Sequence, residues 1–210
     1  MIYQELIANI RDLGFSDDAE VADFQELVPN SINRAITEIN LEVAPIIERY
    51  EFDLTSADTG YQYITMPDVD ENFLDFADVP VLFAESRPGA DGKTVETPRY
   101  TRFNDYEIEA NDTIVINADD LRIGDGESLS FRVFYKVAHT PYDAAQEAQL
   151  ANELPLPRKV HHLVPLLASF YIWLEDEPTK ASQYYNLYEQ AKSNLTVNAK
   201  PRMKVLPGGI

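Results

Sequence analysis

Apolar residues recur with a helical period at both ends of the chain and with a two-residue period in the middle. Tyr3, Leu6, Ile7, Ile10 and Leu13 fall on one face of a 3.6-residue repeat. That spacing predicts an amphipathic helix closed by Gly14, with Phe15 folding back on its last turn. Asp17 with Glu20 three residues later resembles a capping box for a second, short helix. Pro29 either interrupts that helix or starts the next, in which Ile32, Ala35, Ile36, Ile39 and Val43 repeat the stripe. Pro45 ends it at or before Ala44.

Between about Ile46 and Thr140 the period shortens. Residues 50–55, 61–65, 113–116 and 129–137 alternate and are rich in β-branched and aromatic side chains, the pattern of strands. Turn chemistry separates them at Asp58-Thr59-Gly60, Pro88 to Gly92, Asn111-Asp112 and Gly124-Asp125-Gly126. Beyond Pro141 the helical period returns. Leu154-Pro155-Leu156-Pro157 reads as a stiff extended connector. The helix after it carries Val160, Leu163, Val164, Leu167, Tyr171 and Leu174 on one stripe. Leu166, Ala168, Ile172 and Trp173 make it apolar nearly all round, as for a helix in a core or at a subunit contact. Pro178 suits the first position of a last helix striped by Ala181, Tyr184, Tyr185, Tyr188, Ala191 and Leu195.

Each end alone would leave its stripes unburied, which predicts an α+β protein. Residues 1–45 and 142–195 form a discontinuous helical bundle. Residues 46–141 form an inserted antiparallel β-sandwich or barrel, and 196–210 an extended C-terminal arm. The chain has 210 residues, enough for a substantial core, and no cysteine. That removes disulfides, thiolate metal sites and a cysteine nucleophile. The apolar run Leu163 to Leu174 is too short to span a membrane, and Met1 to Glu5 reads as no signal peptide. A soluble protein, made in a reducing compartment or tolerant of one, is expected.

The net charge is −19, and it is uneven. Residues 1–150 hold 31 acids and 10 bases, whereas 151–210 hold five acids and seven bases. An acidic body repels phosphate, which disfavours sequence reading of DNA. From Lys200 to Ile210 there are three bases, two prolines and no acidic side chain. This segment is either a frayed terminus or an arm that orders on an acidic partner.

No catalytic constellation is legible. Gly92-Lys93-Thr94 lacks the earlier glycine of a phosphate loop, since that position is Arg87, and reads as a hairpin turn. His161 and His162 are adjacent, about 100° apart on a helix, and have no ligand three or four residues on. The acids at 68–71 and at Asp119, Asp120, Asp125 and Glu127 miss the spacing of a calcium loop and suit turns. Neither a metal nor a cofactor is expected. Two further readings stay open: a carbohydrate- or calcium-binding β module on a helical base, and, more weakly, a glycoside hydrolase using two of the 36 acids.

The order and spacing of the helices resemble the head–tail adaptor proteins of tailed bacteriophages, also called head completion or connector proteins. The segments that carry the resemblance are Tyr3 to Phe15, Ser31 to Asn40 with its Ile-Asn-Arg-Ala run, Pro155 to Ala168, and Glu175 to Ala181 with the tyrosine-rich helix behind it. The resemblance implies a non-enzymatic virion protein of the neck, made in the host cytoplasm. It implies a homo-oligomeric ring, commonly of twelve copies, beneath the portal protein. The ring would extend the channel for genomic double-stranded DNA and give a tail protein its docking surface. It further implies a C-terminal arm inserted into the portal, with Lys200, Arg202 and Lys204 meeting acids and Met203, Val205 and Leu206 filling apolar pockets. Trp173, Tyr184, Tyr185 and Tyr188 are candidates for the subunit contact, or else ordinary core.

Overall fold

The computed structural model describes residues 1–14, 27–86, 100–125 and 127–198. In chain order these form α1 (Tyr3–Gly14), α2 (Leu27–Glu42), β1 (Ile47–Thr55), β2 (Tyr61–Thr65), the one-turn α3 (Met66–Val69) and β3 (Phe73–Ser86). There follow β4 (Thr101–Arg102), β5 (Glu107–Glu109), β6 (Thr113–Asn117), β7 (Ser128–Val137), α4 (Leu163–Trp173) and α5 (Pro178–Asn198). The contacts divide the chain into two compact units, residues 1–45 with 140–210, and residues 46–139.

In the helical unit α4 packs against α1, α2 and α5. It buries Leu163, Val164, Leu167, Ala168, Ile172 and Trp173, which its nearly uniform apolar surface demands. Its neighbours are amphipathic and turn one stripe inward: Tyr3, Leu6 and Ile10 on α1, and Ile32, Ala35, Ile36 and Ile39 on α2. Pro29 and Pro165 each stand third in their helices, within the first turn, where the backbone N–H has no intrahelical partner. Neither therefore kinks its helix. Pro178 opens α5 as its first residue. The connector at 154–157 is held more tightly than its prolines alone suggest. Leu154 N donates to Met1 O at 3.1 Å, Tyr3 N donates to Asn152 O at 3.1 Å, and Leu154 and Leu156 are buried. Asn33 on α2 clasps the backbone of Tyr142, accepting from its N at 2.7 Å and donating to its O at 2.9 Å. The Tyr142 ring stacks on Tyr3, 4.6 Å between centroids.

The β unit holds two antiparallel sheets, one ordered β1-β7-β3-β4 and one β2-β6-β5. Among the described residues the strands close no barrel, so the barrel alternative is dropped. Four of the strands lie where the two-residue period places them. The longest, β3, does not show that period, because Asp75, Asp78 and Pro80 interrupt it. Its register against β7 shifts twice, between Phe73 and Asp75 and between Phe76 and Val81. Residues 77–80 thus lie in an irregular stretch, the one kind of place where an interior strand tolerates a proline. The β5–β6 turn takes Ala110 and Asn111 through positive φ, +50° and +67°. Asparagine suits that region and alanine does not.

Several expectations lie outside the described residues: Phe15 folding back on α1, the capping box at Asp17 and Glu20, the turns at Pro88 to Thr94, and the arm from Lys200 onward. Residues 196–198, assigned to the arm from sequence, are the last of α5.

Candidate functional site

The histidines and acids that could carry chemistry mostly hold the fold. His161 is buried. Its Nε2 lies 2.7 Å from Leu156 O, so that nitrogen carries the proton, and Nδ1 accepts from the Met1 amino group at 3.1 Å. His139 has its pKa pushed down by burial. Asp58 Oδ2 accepts from Thr55 N at 2.8 Å and from Thr55 Oγ1 at 2.9 Å, which lowers its pKa. Asp119 accepts from Gly60 N, Asp120 from Asn117 Nδ2, and Glu127 from Gly124 N. Asp70 accepts from Asn72 N at 2.9 Å and from the Tyr135 hydroxyl at 3.2 Å. Burial first, and then Asp70, push the Tyr135 pKa up to about 12. Among the described residues no three His, Asp or Glu side chains converge as a metal site would need. A groove of about 580 Å³ in the β unit is lined by Phe83, Phe103, Arg102, Arg122, Asp105, Asp120 and Glu127 among others. It mixes both charges over an aromatic floor.

The helical unit carries an aromatic and charged seam. Arg34, Glu38 and Glu42 stand four residues apart on α2, hence on one face. The Tyr171 hydroxyl donates to Glu38, and the Arg34 guanidinium lies 4.0 Å above the Tyr171 ring. Burial, then the bond to Glu38 and its charge, raise the Tyr171 pKa to about 12, against the pull of Arg34. Lys192 reaches Glu42 at 3.3 Å and Glu189 at 3.6 Å. Phe170, Tyr185 and Tyr188 continue the seam, with centroids 5.0 and 6.0 Å apart.

That packing sorts the four subunit-contact candidates. Trp173, Tyr184 and Tyr188 are buried within the chain, in keeping with the core alternative of the two readings. The Tyr184 hydroxyl donates to Leu13 O, and Lys180 sits 3.3 Å over the Trp173 ring. Tyr185 alone keeps substantial exposure, 39%. The all-apolar helix likewise packs within the chain, against α1, α2 and α5. Sequence reading passed over Leu41, 65% exposed on α2, and the pair Tyr61 and Tyr63, 64% and 60% exposed on one face of β2. A helical or alternating period marks which residues share a face, and it cannot say which face a neighbour covers.

What the described residues present is surface: tyrosines, isolated leucines, acidic turns and open strand edges. The family model of the SU10 adaptor protein matches residues 1–206, and the chain belongs to this family of phage head–tail adaptors. No curated protein matches. A chain from the neck of an empty GTA particle, computed with C6 symmetry, is 16% identical over 87% of both chains, with a TM-score of 0.27, a likeness too loose to build on.

Proposed function

We propose that the protein is a non-enzymatic adaptor that forms a ring between the portal and the tail, in the neck of the virion. The observation that carries this reading is the family match, which spans all but the last four residues. The ring extends the DNA channel, and its acidity suits a conduit. A lining rich in carboxylates does not grip passing phosphates, whereas a basic lining would hold each one. One face meets the portal protein and the other receives a tail protein. Copies assemble on the portal after synthesis in the host cytoplasm.

Native mass spectrometry of the full chain mixed with the portal protein of the same phage tests this. The expected result is a portal complex carrying a whole ring of adaptor copies. A chain that ignores the portal at micromolar concentration overturns the proposal.

A further inference from the structure

The groove in the β unit lies where the chain passes between its two sheets. β4 belongs to the four-stranded sheet and β5 to the three-stranded one, and the step from β6 to β7 runs back the other way. The first crossing falls between Arg102 and Glu107, the second between Asn117 and Ser128, and residues of both line the groove. Backbone bonds hold the two crossings. Phe103 N donates to Val81 O at 3.1 Å, Leu121 N to Ala118 O at 3.1 Å, and Glu127 N to Gly124 O at 2.9 Å. Phe103 is buried, with the Phe131 and Phe83 ring centroids 5.2 and 5.5 Å away, which roots the first crossing in the aromatic core. The walls are preformed, as ligand pockets usually are.

Those walls carry charges of both signs that do not pair. Arg102 and Arg122 line the groove with Asp105, Asp120 and Glu127. Arg102, Asn104, Asp105 and Arg122 make no hydrogen bond or ion pair with any described residue. Asp120 accepts from Asn117 Nδ2 at 2.7 Å and Glu127 from Gly124 N at 3.2 Å, each through one oxygen, and each keeps the other. Elsewhere in this unit opposite charges close on each other, as Lys136 on Asp75 at 3.0 Å and Arg132 on Glu51 at 2.8 Å. In the groove they stand apart across about 580 Å³. That size falls among small-ligand sites, about 300–1,000 Å³. A second recess of about 290 Å³ shares Asn104, Asp105 and Asp120 and extends the groove to Tyr61, Tyr106 and Glu107. Tyr106 stacks on Phe103 at 6.4 Å, and the Tyr61 ring is open to solvent.

These groups select the chemistry of an occupant. A hydroxyl both donates and accepts, so a polyhydroxyl ligand satisfies guanidinium and carboxylate at once. Aromatic rings offer flat apolar faces for the C–H side of a sugar ring. Asp105, Glu107, Asp120 and Glu127 outnumber Arg102 and Arg122, which disfavours an anion. A polybasic peptide would set its charges against those two arginines. An apolar ligand would leave the charges desolvated and unpaired. We propose that this groove binds a neutral oligosaccharide, with Arg102, Asn104, Asp105 and Arg122 bonding its hydroxyls and Tyr61 stacked on one sugar ring. The adaptor reading does not require such a site, which adds a recognition function to the β unit.

Saturation-transfer difference NMR on the full chain tests it, with maltotriose, mannotriose, chitotriose and globotriose as probes at millimolar concentration. At least one is expected to bind, whereas the anionic 3′-sialyllactose is expected not to. Asp105→Ala and Arg122→Ala should each weaken that binding about tenfold, because hydrogen bonds to charged groups are the stronger kind. Tyr61→Ala should weaken it severalfold. Tyr63→Ala, similarly exposed on β2 but outside the groove, should leave it unchanged. All four side chains are exposed, so the far-ultraviolet circular dichroism spectra of the variants should match the wild type. Failure of every neutral trisaccharide to bind overturns the proposal, as do equal losses in Tyr61→Ala and Tyr63→Ala. Binding of trilysine in place of any sugar would make the groove a cation site and overturn it too. Assembly on the portal is measured separately, so either result leaves the proposed function standing.

Discussion

The helical unit and the β unit solve the folding problem with different chemistry. The helical unit gathers amphipathic helices round one apolar helix, and its polar groups are paired between segments, as Asn33 with the Tyr142 backbone and Glu38 with Tyr171. The β unit, residues 46–139, carries 20 acids against eight bases and spends many of them in turns, as Asp58, Asp119 and Asp120 do. Asymmetry teaches where each unit is vulnerable. Stability of the first rests on buried volume and a few clasps, and that of the second on sheet packing and on side-chain-capped turns.

The comparison breaks first at the cores. Phe131, fully buried on β7 against Phe52, Phe83 and Phe103, is the centre of an aromatic cluster. Phe131→Ala should cost about 3–5 kcal/mol, read by chemical denaturation with circular dichroism. Leu167→Ala should cost about 2–5 kcal/mol. Its loss should show directly in the fluorescence of Trp173, the single tryptophan, which reports the helical unit. Equal stability of either variant and the wild type would refute the assigned core.

Smaller effects sharpen the contrast. Asn33→Ala leaves the Tyr142 N–H and C=O without their partner and should cost about 1–3 kcal/mol. Ala110→Gly relieves a positive φ and should raise stability by about 0.5–1 kcal/mol, an increase visible as a higher thermal midpoint. Titration of single groups adds two tests of opposite sign. Tyr171 keeps its proton more tightly folded than unfolded, so its contribution is whole below pH 10 and is lost as pH rises toward about 12. Tyr171→Phe should flatten the alkaline limb of the thermal midpoint. Asp58 has a lowered pKa, so its contribution is present above its ordinary value of 3.8 and is lost as pH falls below that. Asp58→Asn should flatten the acid limb and leave the alkaline one alone.

The elements that read most clearly from sequence were those whose period is long and unbroken. The stripes of α2 and α4 and the alternation of β7 place their own inward faces, because 3.6 and 2.0 residues per repeat are set by backbone geometry alone. β3 escaped that reading because Asp75, Asp78 and Pro80 fall where its ladder is irregular, and irregular strand has no period to read. The interface candidates were legible only as residue types. Tyr184, Tyr185 and Tyr188 share one stripe, yet α4 and α1 cover two of them and leave Tyr185 partly open.

Sequence by itself determined the alternation of helical and β segments, the acid excess, the turns at Asp58 to Gly60 and Asn111-Asp112, and the family. Tertiary structure decided which strand lies at a sheet edge and which aromatic side chains are spent on the core. The reason is physical. Periodicity is a local property of one chain segment, whereas exposure depends on whichever segment packs against it, and that neighbour comes from a distant part of the sequence.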